Sequence, residues 1–248
     1  MPVQNIAAYR FVSIDDHDVL ATSIKALCLR LELKGTILVS AEGINIFLAG
    51  SAESITEFLA ELTADVRFAG IPVKYSHSAF VPFKRLRVKR KKEIITYRDE
   101  RLLPEQGRAP SVSPQTLARW LDTGKDDTGR DVVLLDTRNS DEVVYGSFKN
   151  AMTFPIHNFT DLPKAVEAHK TELEGKTVVS FCTGGIRCEK SVLRMQNDGY
   201  QNCYQLDGGI LGYFEKVGGQ HFDGRCFVFD DRIAVDAKLD PLINDIGF

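Results

Sequence analysis

The segment TVVSF-CTGGIR-CEKSVLRMQNDGY, residues 177–200, places a cysteine where its sulfur could act as a nucleophile. An apolar run ends at Cys182, two glycines follow, and an amphipathic helical pattern starts near Ile186 and closes at Gly199. The glycines let the loop curl so that successive backbone N–H groups face the sulfur, and the positive end of the helix adds to them. Arg187 contributes a fixed cation. Such surroundings favour a thiolate or a bound anion, lower the cysteine pKa, and suit a sulfur that carries a persulfide or another covalent adduct. Cys182 is thus the candidate catalytic residue, and Thr183, Gly184, Gly185, Ile186 and Arg187 form the candidate anion or substrate cradle. The plainer alternative is a small buried cysteine beside a glycine turn. Cys188, one residue past the loop, is a candidate resolving cysteine through a disulfide with Cys182, or simply a small residue packed at the helix start. Cys28 and Cys203 fall in apolar elements and read as core, Cys226 has no evident role, and the five cysteines show no metal-ligand spacing.

A second chemistry is carried by PFKRLRVKRKKEII, where seven of the nine residues from Lys84 to Lys92 are basic. With a strand period of two, Arg85, Arg87, Lys89 and Lys91 share one face, and Leu86 and Val88 share the other. That basic face is a candidate track for a nucleic-acid phosphate backbone. The alternative is an edge strand protected from aggregation by its charge. Tyr75, Phe80, Phe83 and Tyr97 lie nearby and could stack on unpaired bases, or belong to the core.

The elements that must position these residues fall into two patterns. In the first half, strand-like 7–14, a helix over 16–33, the strands TILVS and INIFLA around AEG, a helix over ESITEFLAEL, IPVKYS and a strand through Leu86 and Val88 give a β-α-β-β-α-β order. That order predicts a ferredoxin-like α+β sandwich. The second half alternates more strictly: a helix from Ser113, then VVLLD, a helix near 141–145, AMTFP, a helix over 162–173, TVVSF, a helix over 186–198, NCYQL and a helix from Ile210. Short apolar strands separated by helices predict a parallel sheet, whose chemistry sits at the carboxyl ends of strands. RDERLLPEQGRAPSVSP, with three prolines and little periodicity, reads as a linker. The expected divisions are 1–108 for a ferredoxin-like domain ending in that linker, 109–225 for the parallel-sheet domain, and 226–248 for a C-terminal extension.

Composition agrees with a soluble globular chain: 248 residues, 44% apolar and 26% charged. No run approaches the roughly 18 apolar residues of a membrane helix, and the first residues lack a signal-peptide pattern. A cytoplasmic protein with reduced thiols and no stable protein partner is expected. The net charge of −3 argues against a polyanionic partner until it is divided, because residues 1–108 carry +3 and residues 109–248 carry −6.

Strand-DxR…E…G…AxxxP, strand-CxxGxR-helix and strand-LxGG, in that order over Ser113 to Gly218, resemble the rhodanese family. The resemblance puts Cys182 at the persulfide-carrying position and makes Asp136, Arg138 and Glu142 scaffold. It also has a departure, since Ser147 stands where rhodaneses usually have histidine. KGTILVSAEGINIFLAG, PFKRLRVKRKKEII, CTGGIRCEKS, YQLDGGILGYFE and GRCFVFDDRIAVD extend the likeness to nearly the whole chain, which resembles the bacterial tRNA uridine(34) hydroxylases, with an acylphosphatase-like domain before a rhodanese domain. That resemblance implies oxygen-dependent conversion of the wobble uridine of tRNA to 5-hydroxyuridine, with Cys182 essential, molecular oxygen as co-substrate and the electron donor unidentified. Longer members continue into a cysteine-rich tail, whereas this chain ends at DPLINDIGF. Two alternatives stand beside it: a persulfide-carrying sulfurtransferase, and a non-catalytic RNA-binding adaptor.

Overall fold

The computed structural model describes residues 2–243, so the last five residues of the expected extension lie outside the described residues. Two compact units result. Of the described residues, the first comprises 2–96, 229–233 and 240–243; the second comprises 97–228 and 234–239.

The first unit runs β1 (Val3–Phe11), α1 (His17–Arg30), β2 (Lys34–Ser40), β3 (Gly43–Gly50), α2 (Ala52–Ala64), β4 (Val73–Ser78) and β5 (Leu86–Arg90). Its sheet has the order β4-β1-β3-β2-β5. The first four strands pair antiparallel, as the ferredoxin-like order requires, and β5 joins the edge parallel to β2. Ala41 and Glu42 make the tight β2–β3 turn, and Gly43 follows at φ 152° because a Cβ there would stand 2.2 Å from the Arg10 carbonyl oxygen. Ile24 and Cys28 from α1, Phe58 and Leu62 from α2, and Ile37, Ile44, Ile46 and Leu48 from the strands form the core. Each such side chain contributes about 1.5–3 kcal/mol on burial. The returning segment 229–233 is held within this unit by Arg232, which pairs with Asp230 and donates to Ser76 Oγ at 2.7 Å.

The second unit contains β6 (Ser111–Val112), α3 (Pro114–Thr123), β7 (Val132–Asp136), α4 (Ser140–Val143), β8 (Gly146–Phe148), α5 (Leu162–Ala168), α6 (Lys170–Leu173), β9 (Thr177–Phe181), α7 (Ile186–Asn197), β10 (Cys203–Leu206) and α8 (Gly209–Lys216), followed by the short strands β11 (Phe222–Gly224), β12 (Cys226–Phe227) and β13 (Ala234–Val235). The parallel sheet has the order β6-β10-β9-β7. Every residue of β9 is buried, as a central parallel strand demands. Ser113 caps α3 by accepting from the Thr116 N–H, with Pro114 at the first helical position.

Two expected elements differ. AMTFP makes a single parallel bridge, Met152 to Leu135, rather than a strand. Both polar groups of Met152 are used by β7, but the Ile156 N–H then donates to the Phe154 carbonyl and Pro155 has no N–H, so the ladder ends there. The helix expected over 162–173 divides at His169 (φ −113°, ψ 18°), whose Nδ1 contacts the Ala165 carbonyl. The proline-rich stretch read as a linker belongs to the second unit up to β6. Asp99 accepts from Arg101 and Arg194, and buried Glu189 of α7 accepts from Arg108 and from the Ala109 N–H.

Candidate active site

Strand β9 delivers Cys182 to the carboxyl end of the parallel sheet, and the loop to α7 folds around its sulfur. Gly185, at φ 101° and N-terminal to α7, turns its N–H to the Cys182 Sγ at 3.1 Å. The Arg187 N–H donates to the same sulfur. The Cys188 thiol shares a hydrogen bond with it. Cys182 is 1% exposed, and burial alone would hold its thiol neutral. The Cys188 hydrogen bond, the Arg187 charge and the two backbone donors outweigh that cost and bring the Cys182 pKa down to about 5. Cys188 moves the opposite way, well above the ordinary thiol value, through burial and the adjacent thiolate. The remaining cysteines behave as expected of core residues: burial pushes Cys28, Cys203 and Cys226 to about 12.

Arg187 is itself buried, 5% exposed, and its guanidinium makes a bidentate pair with Glu142 of α4, Nη1 to Oε1 at 2.5 Å and Nη2 to Oε2 at 2.7 Å. Glu142 therefore orients the loop cation in addition to capping α4, where its Oε1 accepts from the Asn139 N–H at 3.1 Å. Asp136 and Arg138 form a second, fully buried pair. Arg138 Nε and Nη2 donate to the two Asp136 oxygens at 2.9 and 2.6 Å, and Nη2 also donates to the Gly146 carbonyl. Ser147, the departure from the rhodanese pattern, donates from Oγ to Asp136 Oδ2 at 2.8 Å, so its hydroxyl completes this scaffold.

The other cradle residues divide. Thr183 turns its Oγ1 to the Phe227 carbonyl at 3.3 Å, Gly184 has open space at its Cα, and Ile186 is buried at the start of α7. Gly209 and Thr137 emerge only from the structure. Gly209 opens α8 at φ 62°, where a Cβ would lie 2.4 Å from the Cys182 carbonyl oxygen and 2.7 Å from the Gly185 nitrogen. The next two residues, Ile210 and Leu211, donate their N–H groups to the Cys182 and Thr183 carbonyls. The loop is thus held from behind by the glycine pair of LDGG. Thr137 donates from Oγ1 to the Phe181 carbonyl and lies 3.7 Å from Cys188 Sγ.

In the first unit, the basic strand is placed as its alternation predicts. Arg85, Arg87, Lys89 and Lys91 are exposed, while Leu86 and Val88 pack on the first unit's core. Arg90, on the opposite alternation, pairs with Asp18 at 3.1 Å. Of the nearby aromatic rings, Tyr75 is 45% exposed, whereas Tyr97 is buried in the second unit against Phe159, ring centroids 4.7 Å apart. Among the described residues, no helix is long and apolar enough to cross a membrane, and no group of three or more His, Cys, Asp or Glu side chains converges as metal ligands would.

Comparison with known proteins agrees with both halves. The UPF0176 acylphosphatase like domain matches residues 3–94, and the rhodanese-like domain matches residues 113–216. A tRNA uridine(34) hydroxylase of Xanthomonas oryzae pv. oryzae is 57% identical over 242 residues, 98% of this chain and 96% of its own. One from Xanthomonas euvesicatoria pv. vesicatoria is 58% identical over 240 residues, 97% of each chain. One from Bordetella avium is 57% identical over 98% of this chain and 100% of its own. With identity this high across both units, and with the cysteine loop inside the matched span, the chain belongs to the tRNA uridine(34) hydroxylase family.

Proposed function

We propose that the protein hydroxylates the wobble uridine, position 34, of tRNA to 5-hydroxyuridine, with Cys182 as nucleophile and molecular oxygen as co-substrate. The observation that carries this reading is identity above half, over nearly the full length, to relatives named for that reaction. The site supplies suitable chemistry. A thiolate at Cys182 adds to C6 of the uracil and moves electron density onto C5, the carbon to be oxidised. The Gly185 and Arg187 N–H groups and the Arg187–Glu142 pair, which stabilise negative charge on the resting sulfur, are preorganised around the reacting atoms. An anticodon-loop base is unpaired, so presenting it costs unstacking without loss of a base pair. The basic face of Arg85, Arg87, Lys89 and Lys91 is assigned to the tRNA backbone.

Mass spectrometry of tRNA nucleosides from a deletion strain, complemented with wild type or with Cys182→Ser, tests the reading. Wild type should restore 5-hydroxyuridine and Cys182→Ser should not. Retention of the modified base in the Cys182→Ser strain overturns the nucleophile, and loss of a thiolated base in its place points to sulfur transfer.

A further inference from the structure

Hydroxylation of uracil by molecular oxygen leaves an electron deficit. Replacing C5–H by C5–OH removes two electrons from the base, whereas converting O2 to one hydroxyl oxygen and one water consumes four. Two further electrons must come from a reductant. Resting on the hydroxylase reading above, we propose that Cys182 and Cys188 supply them as a dithiol and leave each turnover as a disulfide.

The geometry places this reductant against the nucleophile. Cys188 is fully buried at the start of α7, and its N–H donates to the carbonyl of Gly185, at 3.0 Å, the residue whose own N–H donates to the Cys182 sulfur at 3.1 Å; its sulfur lies 3.7 Å from Thr137 Oγ1, which donates to the carbonyl of Phe181, the residue before Cys182. The two sulfurs differ in a useful way. Cys182 is held as the thiolate that attacks, while Cys188 stays protonated and keeps its hydrogen for transfer. In the net reaction the C5–H and O–O bonds break and a C5–O bond forms. The Cys182 thiolate and the Cys188 thiol lose one electron each and join as S–S. The Cys188 proton and one proton from solvent leave with the second oxygen atom as water. The disulfide closes only a six-residue span and must be reopened before the next turnover, so a dithiol reductant, small or protein-borne, is the reaction that must follow.

The test is a stoichiometry. Reduced full-length protein, freed of reductant without oxygen, is mixed with unmodified tRNA transcript in buffer containing 18O2. The 5-hydroxyuridine formed and its heavy oxygen are counted, and the 182–188 disulfide is measured after free thiols are alkylated. Arg187 lies between the two cysteines, so the disulfide links two tryptic peptides. The expected result is one heavy-oxygen product and one disulfide per chain, with repeated turnover only when dithiothreitol is present. Cys188→Ser, which keeps a hydroxyl donor beside Cys182, should fall about tenfold or more below one product per chain. Several products per chain without reductant, product without disulfide, or a Cys188→Ser yield equal to wild type overturns the electron assignment and leaves the hydroxylase reading intact. No product from wild type even with dithiothreitol overturns both.

Discussion

Replacing Cys188 by alanine should raise the pH at which Cys182 ionises, and replacing it by serine should not. The Cys182 sulfur is buried, which opposes its charge, and the Cys188 hydrogen bond is the strongest of the groups that overcome the burial. A hydrogen bond to a charged acceptor is worth about 1.5–3 kcal/mol, and about 1.4 kcal/mol corresponds to one pH unit of titration midpoint. Deleting the donor should therefore move the midpoint from about 5 upward by roughly one to two pH units. Serine keeps an O–H in the same place, so its profile should stay near that of wild type. Arg187 and the Gly185 and Arg187 N–H groups remain in both variants, which keeps part of the depression. The assay is the rate of iodoacetamide alkylation between about pH 4 and pH 9, with the Cys182 adduct quantified by peptide mass spectrometry. Cys28, Cys203 and Cys226, held near 12, should stay almost silent across that range. An alanine profile that superimposes on wild type refutes the hydrogen bond as the cause. A serine profile shifted as far as alanine refutes the donor and points to packing.

The same ionisation should appear in stability. Folding lowers the Cys182 pKa from 9.0 to about 5, so its stabilisation is complete above pH 9, declines as pH falls through that window because the unfolded chain binds the extra proton, and is gone below about pH 5. At pH 7 roughly half of it remains; the difference in urea midpoint between wild type and Cys182→Ser should shrink from pH 9 to pH 5, and a constant difference sinks the argument. Glu142→Gln leaves the Arg187 charge buried with a neutral partner and should cost about 3–5 kcal/mol, read as a lower denaturation midpoint; an unchanged midpoint would mean the pair is solvated. Gly209→Ala must move the Cys182 carbonyl or the Gly185 nitrogen and adds a left-handed penalty of about 1–2 kcal/mol, so Cys182 alkylation at pH 6 should slow; a normal rate would show that the loop yields without losing its donors. Changing Arg85, Arg87 and Lys89 together to alanine should weaken tRNA binding and reduce the slope of log affinity against log salt by about 1 per residue, measured by filter binding at several salt concentrations, whereas an intact slope would leave the basic face a solubility device.

Local chemistry was legible in the sequence where one segment carries both cause and effect. Cys182, the glycines after it and the start of α7 lie within a few residues, so an amide cradle follows from loop and helix alone, and Gly185 and Arg187 occupy it. The alternation of Arg85, Arg87 and Lys89 with Leu86 and Val88 fixed the faces of β5 for the same reason. Neighbours brought together by the fold were not legible. Glu142 reads as scaffold from its motif, yet it lies 45 residues from Arg187 and its second role exists only because α4 and α7 meet. Gly209 reads as an ordinary turn glycine until the Cys182 carbonyl is found behind it. The proline-rich stretch before β6 looks like a linker because it has no periodicity, but its polar groups are anchored by Arg194 and Glu189, side chains that face it only after α7 has formed.

This distinction bears on mechanism. The motif that identifies Cys182 explains why a thiolate forms, but a thiolate alone does not complete a hydroxylation, since it gives the base a nucleophile and leaves the electron count open. The group that can close the count is set by where the chain returns: Cys188, in the first turn of α7, converges with Thr137 after β7, 3.7 Å from its sulfur, and acts on the Cys182 thiolate. Cys188→Ser separates the two functions of that convergence, because a hydroxyl can still donate a hydrogen bond and cannot become half of a disulfide. A variant with a normal Cys182 titration and no turnover would locate the role of Cys188 in electron supply. One with a normal titration and normal turnover would place the reductant elsewhere.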